Sequence, residues 1–303
     1  MEALFEAALR LAAPLLLAAI GELLVQRSGV VNIGIEGTML CGAFVGFAVA
    51  VSTGSALAGV TAAATFGALV GALFAYFAVV RTADQIVAGM AINLLALGAT
   101  GLASRALYAG APPAAPTLSP LDPSSFGALP GVVAALLHQT PFAHAALLLT
   151  VGIGFALART RLGLRLRAVG ESARAADAEG VSVARLRFGA VLVGSALAGV
   201  AGAALTLDQS GTFTEGMTAG RGFIALSLVI FGRWQAGGVA LAALFFGAAT
   251  ALQFRLQARG GGVPYPLFLM LPYALTLVVL AVATVRTRAP ADLGRAYRRG
   301  AAP

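Results

Sequence analysis

Residues 57–80 read LAGVTAAATFGALVGALFAYFAVV, an uninterrupted apolar stretch of 24 residues without a charged side chain. As an α-helix this stretch would extend about 36 Å, which is enough to cross a bilayer core of about 30 Å. A helix is the expected form, because every backbone N–H and C=O group inside lipid needs a partner within the protein. The stretch therefore predicts a transmembrane helix, and its length is the criterion for searching the rest of the chain.

The composition of the whole chain is that of an integral membrane protein. Of 303 residues, 59% are hydrophobic and 11% are charged, whereas about 25% of a soluble domain is charged. We therefore predict an all-α, polytopic transmembrane bundle that forms a single domain over residues 1–303. It has about nine spans, located at 5–25, 29–50, 57–80, 85–108, 140–158, 188–207, 221–233, 237–257 and 264–285.

Two of these spans depart from a straight transmembrane helix. The second begins among Gly29, Asn32, Gly34, Glu36 and Gly37, which predicts a broken or partly unwound helix. The seventh is shorter than a full crossing requires.

Several residue types that catalysis or metal binding would need are scarce. The chain has no lysine, so it lacks the phosphate-binding GxxxxGK[ST] loop of an ATPase. Cys41 is the single cysteine, which excludes an intrachain disulfide and a cysteine-based metal site. The only histidines, His138 and His144, are not arranged with a serine or a carboxylate pair. We predict no catalytic residue, no metal site and no cofactor.

The distribution of arginine predicts how the chain is oriented. Residues 159–187 and 286–303 each carry a net charge of +4, and short cytoplasmic loops retain positive charge. Placing both in the cytoplasm leaves the amino terminus outside and the carboxyl terminus inside, with fifteen arginines inside and five outside. Residues 109–139, which hold six of the thirteen prolines, then form an outer loop. Because these arginines flank apolar spans and do not line a soluble face, nucleic acid is not an expected partner.

Residues that favour helix ends predict a short helix in the inner loop. In 170–181, GESARAADAEGV, Ser172 is suited to cap the amino end, and Gly180 is suited to the left-handed position that follows a helix. The small side chains Ala173, Ala175 and Ala176 would admit another protein surface, while Glu171 and Arg174 offer polar contacts. A solvated loop whose arginines only fix the topology is the alternative.

These motifs resemble a known family, the membrane-spanning permease subunits of ABC importers for branched-chain amino acids, simple sugars and nucleosides. The family's loop reads approximately G-E-N-P-x-A-A-x-x-A-G-I, and the next span contains G-x-x-A-G-x-A-G. This chain matches the loop at most positions, departs from it at Ser172-Ala173, Glu179 and Val181, and continues with GSALAGVAG at 194–202. The block VNIGIEGTML at 31–40 is typical of the family's second span. The segments 218–226, 230–234 and 271–277 look most like the nucleoside branch.

The resemblance implies a function for the short helix and a set of partners. The helix would be the coupling helix, which seats in a groove of a separate ABC ATPase subunit. That subunit, and not this chain, would hydrolyse ATP. Further partners would be a second, related permease subunit, with a non-identical partner favoured over a homodimer, and a substrate-binding lipoprotein in the bacterial inner membrane. The coupling residues that the resemblance implies are Gly170, Glu171, Ser172, Arg174, Ala175, Ala176 and Gly180.

Polar groups inside the spans are the candidates for a solute path. A lipid-facing carboxylate costs about 2.5–3.5 kcal/mol near the bilayer centre, so Glu36 should face protein or a water-filled path. Asn93 could bond a nucleobase edge or a neighbouring helix, and interhelical bonding is favoured. Glu36 could equally tie down unwound backbone beside its neighbours. The predicted path residues are Asn32, Glu36, Thr38 and Asn93.

Two function classes follow. An ABC importer permease that moves nucleosides by alternating access explains the inner loop. Sister-branch importers of sugars, branched-chain amino acids or flavins share the scaffold and remain alternatives. An ion-coupled secondary transporter could use Glu22, Glu36 or Asp84, but it gives no role to the inner loop.

Overall fold

A computed structural model describes residues 2–109, 111–119, 137–259, 270, 274 and 289–298. Within these residues the chain forms ten α-helices and no strand, as the sequence predicts. The helices are α1 (Glu2–Arg27), α2 (Ile35–Thr53), α3 (Ala56–Ala75), α4 (Gln85–Tyr108), α5 (Pro141–Arg159), α6 (Arg161–Glu171), α7 (Ala173–Ala178), α8 (Val183–Ala204), α9 (Arg221–Phe231) and α10 (Ala236–Arg259). Single π-helical segments extend α3 over Tyr76–Val80 and α8 over Leu205–Ser210.

Seven of the described helices are long and apolar enough to cross a bilayer, and α9 is a shorter apolar helix. These eight helices match the first eight predicted spans. The ninth, 264–285, lies outside the described residues apart from Met270 and Ala274. Most of the outer loop 109–139 also lies outside them, and its described part, 111–119, is not helical.

The helices form a buried centre and a more exposed periphery. In the most apolar stretch of α1, 83% of the residues are buried, and α2 and α8 are similarly enclosed. In α4 and α5 the corresponding share is 28%. The exposed side chains of the peripheral helices are largely Leu, Val, Ile and Phe, which suits a surface that faces lipid or another membrane protein.

Glycine allows α8 to pack against α2 and α3 at backbone distance. A Cβ atom on Gly202 would collide with the carbonyl oxygen of Met39 in α2, and one on Gly199 would collide with the carbonyl oxygen of Ala63 in α3. Such close approach is common between membrane helices, because dispersion and weak backbone contacts replace the hydrophobic effect there. The GSALAGVAG run is therefore the contact surface of the central helix.

The irregularities predicted from the sequence lie just before α2 and in the short helix α9. Residues 28–34 between α1 and α2 are not helical, and α2 then runs without a break from Ile35. Helix α9 has only 11 residues and begins after a series of turns. Their amino-terminal ends meet, since a Cβ atom on Gly222 would overlap the backbone of Glu36.

Candidate coupling surface and membrane path

The inner loop folds into two consecutive helices whose starts are capped by side chains. Thr160 Oγ1 accepts a hydrogen bond from Gly163 N at 3.1 Å at the start of α6. Ser172 Oγ accepts one from Ala175 N at 3.3 Å at the start of α7. Gly180, with a φ of +80°, follows α7 in the left-handed conformation. The short helix is thus present with the cap and stop that its sequence predicts.

One side of α7 packs on the bundle, and the other is open. Ala173 and Ala176 are buried and pack with Val169 and Val183, so these two alanines do not offer the docking surface that the sequence analysis expected of them. Gly170 is buried as well, because its Cα lies against the carbonyl oxygen of Arg27. The remaining predicted coupling residues other than the capping Ser172 are exposed, namely Glu171, Arg174, Ala175 and Gly180.

Two of the predicted path residues hold the backbone at the bundle centre. Glu36 accepts hydrogen bonds from Gly220 N at 2.8 Å and from Gly222 N at 2.6 Å, so its carboxylate caps the amino end of α9. Asn93 accepts a bond from Gly37 N at 2.8 Å and donates one to the carbonyl of Ile33 at 3.0 Å. The sequence left two roles open for Glu36 and Asn93, which are anchoring of the backbone and contact with a solute. These hydrogen bonds anchor the backbone, and contact with a solute stays a prediction.

The other two path residues belong to a buried polar cluster at the break between α1 and α2. Thr38 Oγ1 donates to the carbonyl of Gly34 at 2.9 Å. Asn32 donates from its side chain to Ser195 Oγ at 3.3 Å and from its backbone N–H to Glu22 Oε1 at 3.2 Å. Gln26 Nε2 also donates to Glu22 Oε1, at 3.1 Å. Among the residues that the structure describes, Glu22 Oε2 and Asn32 Oδ1 are buried acceptors without a hydrogen-bond partner.

This imbalance of acceptors predicts how Glu22 responds to substitution. Glu22→Gln removes the buried negative charge and leaves the amide oxygen for Gln26 and Asn32, so we expect a thermal midpoint equal to or above that of the parent. Glu22→Ala deprives two buried donors of their acceptor, at about 1–3 kcal/mol each. Thermal unfolding of the purified chain in detergent measures both, with Glu6→Ala in the same helix as the control. A midpoint for Glu22→Gln below that of Glu22→Ala would contradict the argument.

The opposite end of the bundle carries polar contacts that the sequence analysis missed. Asp208 accepts a hydrogen bond from Thr140 Oγ1 at 3.0 Å and lies 3.7 Å from the Nε of Arg10. Arg105 donates twice to Glu215, at 2.7 and 2.6 Å, and these bonds lower the pKa of the exposed Glu215 carboxyl. Only the fold brings these partners together, because they lie far apart in sequence. A cavity of about 450 Å³ opens beside Asp208 and is lined by residues that include Arg10, Gln139 and Gln209.

The arginine-rich loops that the structure describes contact one another at one end of the bundle. At one end Arg27 donates to the carbonyl of Trp234, at 2.8 Å from Nε, and buried Arg187 donates to the carbonyl of Ser28 at 3.1 Å. The loops at 27–34, 159–187 and 232–235 thus meet at the same end as residues 291–295.

Among the described residues, no three His, Cys, Asp or Glu side chains gather in a way that could hold a metal ion.

Fold and loop arrangement together define a class, a multi-pass helical membrane protein with a capped helix standing outside its bundle. The chain belongs to the family of permease components of the branched-chain amino acid transport system, which matches residues 4–280. This is a family of ABC transporter permeases. No solved structure matches the chain.

Relatives cover nearly the full length of the chain. It is 35% identical to the guanosine ABC transporter permease protein NupQ of Bacillus subtilis, over 95% of this chain and 94% of the relative. It is 33% identical to the nucleoside ABC transporter permease protein NupC of Lactococcus lactis, over 94% and 93%. It is 34% identical to the putative glucose ABC transporter permease protein TsgC13 of Haloferax volcanii, over 98% and 97%.

Proposed function

We propose that this chain is the membrane-spanning subunit of an importer that moves nucleosides into the cell by alternating access, driven by separate ATPase subunits. The observation that carries the proposal is α7, a capped helix that packs one side on the bundle and presents Arg174 and Ala175 outward. A helix held in this way can transmit a push, because its buried alanines contact the start of α8. The names of two relatives support nucleosides as the solute.

The proposal includes an orientation and a set of partners. The arginine-rich end carrying α6 and α7 faces the cytoplasm, so that α7 meets the ATPase and the amino terminus lies outside. A second, non-identical permease completes the path, and a substrate-binding lipoprotein delivers the solute to the outer face of the inner membrane. The cavity beside Arg10 and Gln209 lies at that outer face and is open to such a delivery.

A second candidate solute is glucose. It is supported by the similarity to TsgC13, whose identity to this chain differs little from those of the nucleoside permeases. Both solutes carry vicinal hydroxyl groups, which amide and carboxylate side chains can bond. An ion-coupled transporter receives no such support, since the family is one of ABC transporter permeases.

Uptake by the reconstituted complex tests the function. The chain would be purified from its native membrane with its associated subunits, placed in proteoliposomes with ATP inside or outside, and supplied with labelled guanosine or labelled glucose. We expect ATP-dependent guanosine uptake that excess unlabelled nucleoside abolishes and excess glucose does not. Competition by glucose alone would establish the second candidate, and uptake that ignores ATP but follows an ion gradient would refute both.

Reversing the charge at the outward side of α7 is expected to separate the permease from its ATPase. Arg174→Glu changes an exposed side chain without touching the buried alanines, so folding should be unaffected. Opposed charges at an interface cost several kcal/mol when reversed, and we expect co-purified ATPase and uptake to fall about tenfold or more. Arg255→Glu, a matched change on exposed α10, is the control. Equal amounts of co-purified ATPase in both variants would exclude α7 as the docking element.

A further inference from the structure

The described carboxyl-terminal segment, residues 289–298, lies against the coupling end of the bundle. It connects three parts that are distant in sequence: α7, the start of α8 and the turn that follows α1. The sequence predicts for this region only a basic tail that helps to set the orientation. Its contacts give it a more specific role.

The first contact is with α7. Asp292 Oδ2 accepts a hydrogen bond from Ala173 N at 2.7 Å, and Asp292 N donates to the carbonyl of Gly170 at 2.9 Å. Asp292 therefore brackets the junction between α6 and α7 from both sides, and it satisfies an amide at the first residue of α7 that no helical bond could satisfy. Tyr297 packs in the same apolar cluster as Ala173 and Ala176.

The second contact is with the turn after α1. Gly294 N donates to the carbonyl of Gly29 at 3.0 Å. Arg187, which is 3% exposed, donates to the carbonyl of Ser28 at 3.1 Å and to the carbonyl of Arg295 at 2.8 Å. Gly29 has a φ of +89°, and a Cβ atom there would lie 2.7 Å from the guanidinium of Arg187, so only glycine fits at this position of the turn.

Three residues beyond Gly29 lies Asn32, which binds Glu22 and Ser195 in the buried cluster at the break before α2. Hydrogen bonds thus connect α7 to Asp292 and connect Gly294 to the turn after α1. The backbone joins Asp292 to Gly294, and it also joins the turn to the break before α2. Each of the five hydrogen bonds involved uses at least one backbone group, and such bonds hold their geometry better than exposed ion pairs do.

We propose that residues 289–298 form a mechanical link that holds α7 to the turn at 28–29, so that a displacement of α7 reaches the break between α1 and α2, and that Asp292 is the positioning residue of this link. The inference rests on the proposed function, in which an ATPase displaces α7. It adds a route by which that displacement reaches the bundle centre other than through α8 alone.

The test measures how firmly α7 is held. With Cys41 replaced by alanine, spin labels at Ala178→Cys and Gln235→Cys report the distance from α7 to the loop that Arg27 anchors, since both positions are exposed and neither is a predicted coupling residue. In the purified complex we expect a narrow distance distribution for the parent and a distribution at least twice as wide for Asp292→Ala. Asp292→Asn, whose amide oxygen still accepts from Ala173 N, should remain narrow. Arg295→Ala is the matched control, because it removes only the exposed ion partner of Asp292, 3.7 Å away, and leaves its own carbonyl for Arg187.

Function is measured on the same preparations as solute taken up per ATP hydrolysed. We expect about a tenfold loss for Asp292→Ala, with ATP hydrolysis and subunit stoichiometry within twofold of the parent, and little loss for Asp292→Asn or Arg295→Ala. If Asp292→Ala does not fold, Tyr297→Ala loosens the same segment and should widen the distribution. A distribution as narrow as the parent's, or an unchanged ratio of uptake to hydrolysis, would overturn the link. The distance measurement does not depend on the solute, so a parent complex that imports neither guanosine nor glucose would count against the proposed function alone.

Discussion

Gly202→Ala is expected to destabilise the bundle strongly, although it adds a single methyl group. The Cβ atom would collide with the carbonyl oxygen of Met39 and lie 2.7 Å from Ala43 N. Both are backbone atoms of α2, so neither can rotate away as a side chain could. Overpacking a rigid contact costs about 1–3 kcal/mol or more, and here relief requires α2 and α8 to separate along their shared length.

The measurement is thermal unfolding of the purified chain, together with the yield of monodisperse protein. We expect the Gly202→Ala midpoint to fall by about 10 °C or more, on a scale of about 2–4 °C per kcal/mol. Gly189→Ala in the same helix is the matched control, because nothing lies within 4 Å of the added atom. That variant should be neutral or gain about 0.5–1 kcal/mol from reduced backbone freedom. Equal midpoints for the two variants would show that α2 and α8 are not in backbone contact.

Glu36→Ala is expected to abolish uptake. The Glu36 carboxylate is the acceptor for Gly220 N and Gly222 N at the start of α9, and its removal takes the acceptor from two part-buried donors. Each unsatisfied buried group costs about 1–3 kcal/mol, and the amino end of a helix also loses a favourable negative charge. We expect uptake to fall about a hundredfold and α9 to lose its fixed position.

Two comparisons make the Glu36 prediction specific. Glu36→Gln keeps one acceptor oxygen but directs an N–H group at the second donor, so it should lie between the parent and Glu36→Ala. Glu215→Ala removes a carboxylate whose partner is the exposed Arg105, and uptake should stay within twofold. Hydrogen exchange of the amides at 220–222 provides the structural readout. Unchanged protection of these amides in Glu36→Ala would contradict the capping role.

The helices were predictable because they depend on local properties of the sequence. Length and hydropathy locate the described spans, and Ser172 and Gly180 mark the ends of α7 through rules that act over a few residues. The interruption before α2 was equally visible, since glycines and polar residues cluster between Gly29 and Gly37.

The partners of the polar side chains were not predictable, because they are fixed by packing between distant helices. The donors to Glu36 lie 184 and 186 residues further along the chain, and nothing near Glu36 distinguishes a cap on α9 from a group that faces a solute. The same holds for Asp292 and Ala173, which are 119 residues apart. A count of charges assigns Asp292 to a basic tail, and only the fold shows that it binds α7.

Because α9 is short, the turns that precede it lie inside the membrane and need a partner that covers them. Eleven residues rise about 16 Å, roughly half of the bilayer core, so the turns at 211–220 reach from the end of the bundle that carries Arg105 and Glu215 to about half depth, where α9 begins. Turns satisfy only part of their own backbone hydrogen bonds, and hydrocarbon tails satisfy none. The flank where Thr214 and Ala219 are exposed must therefore be covered by water or by another protein. A copy without that cover would be a substrate for membrane proteases, so the cellular lifetime of this subunit should depend on its assembly.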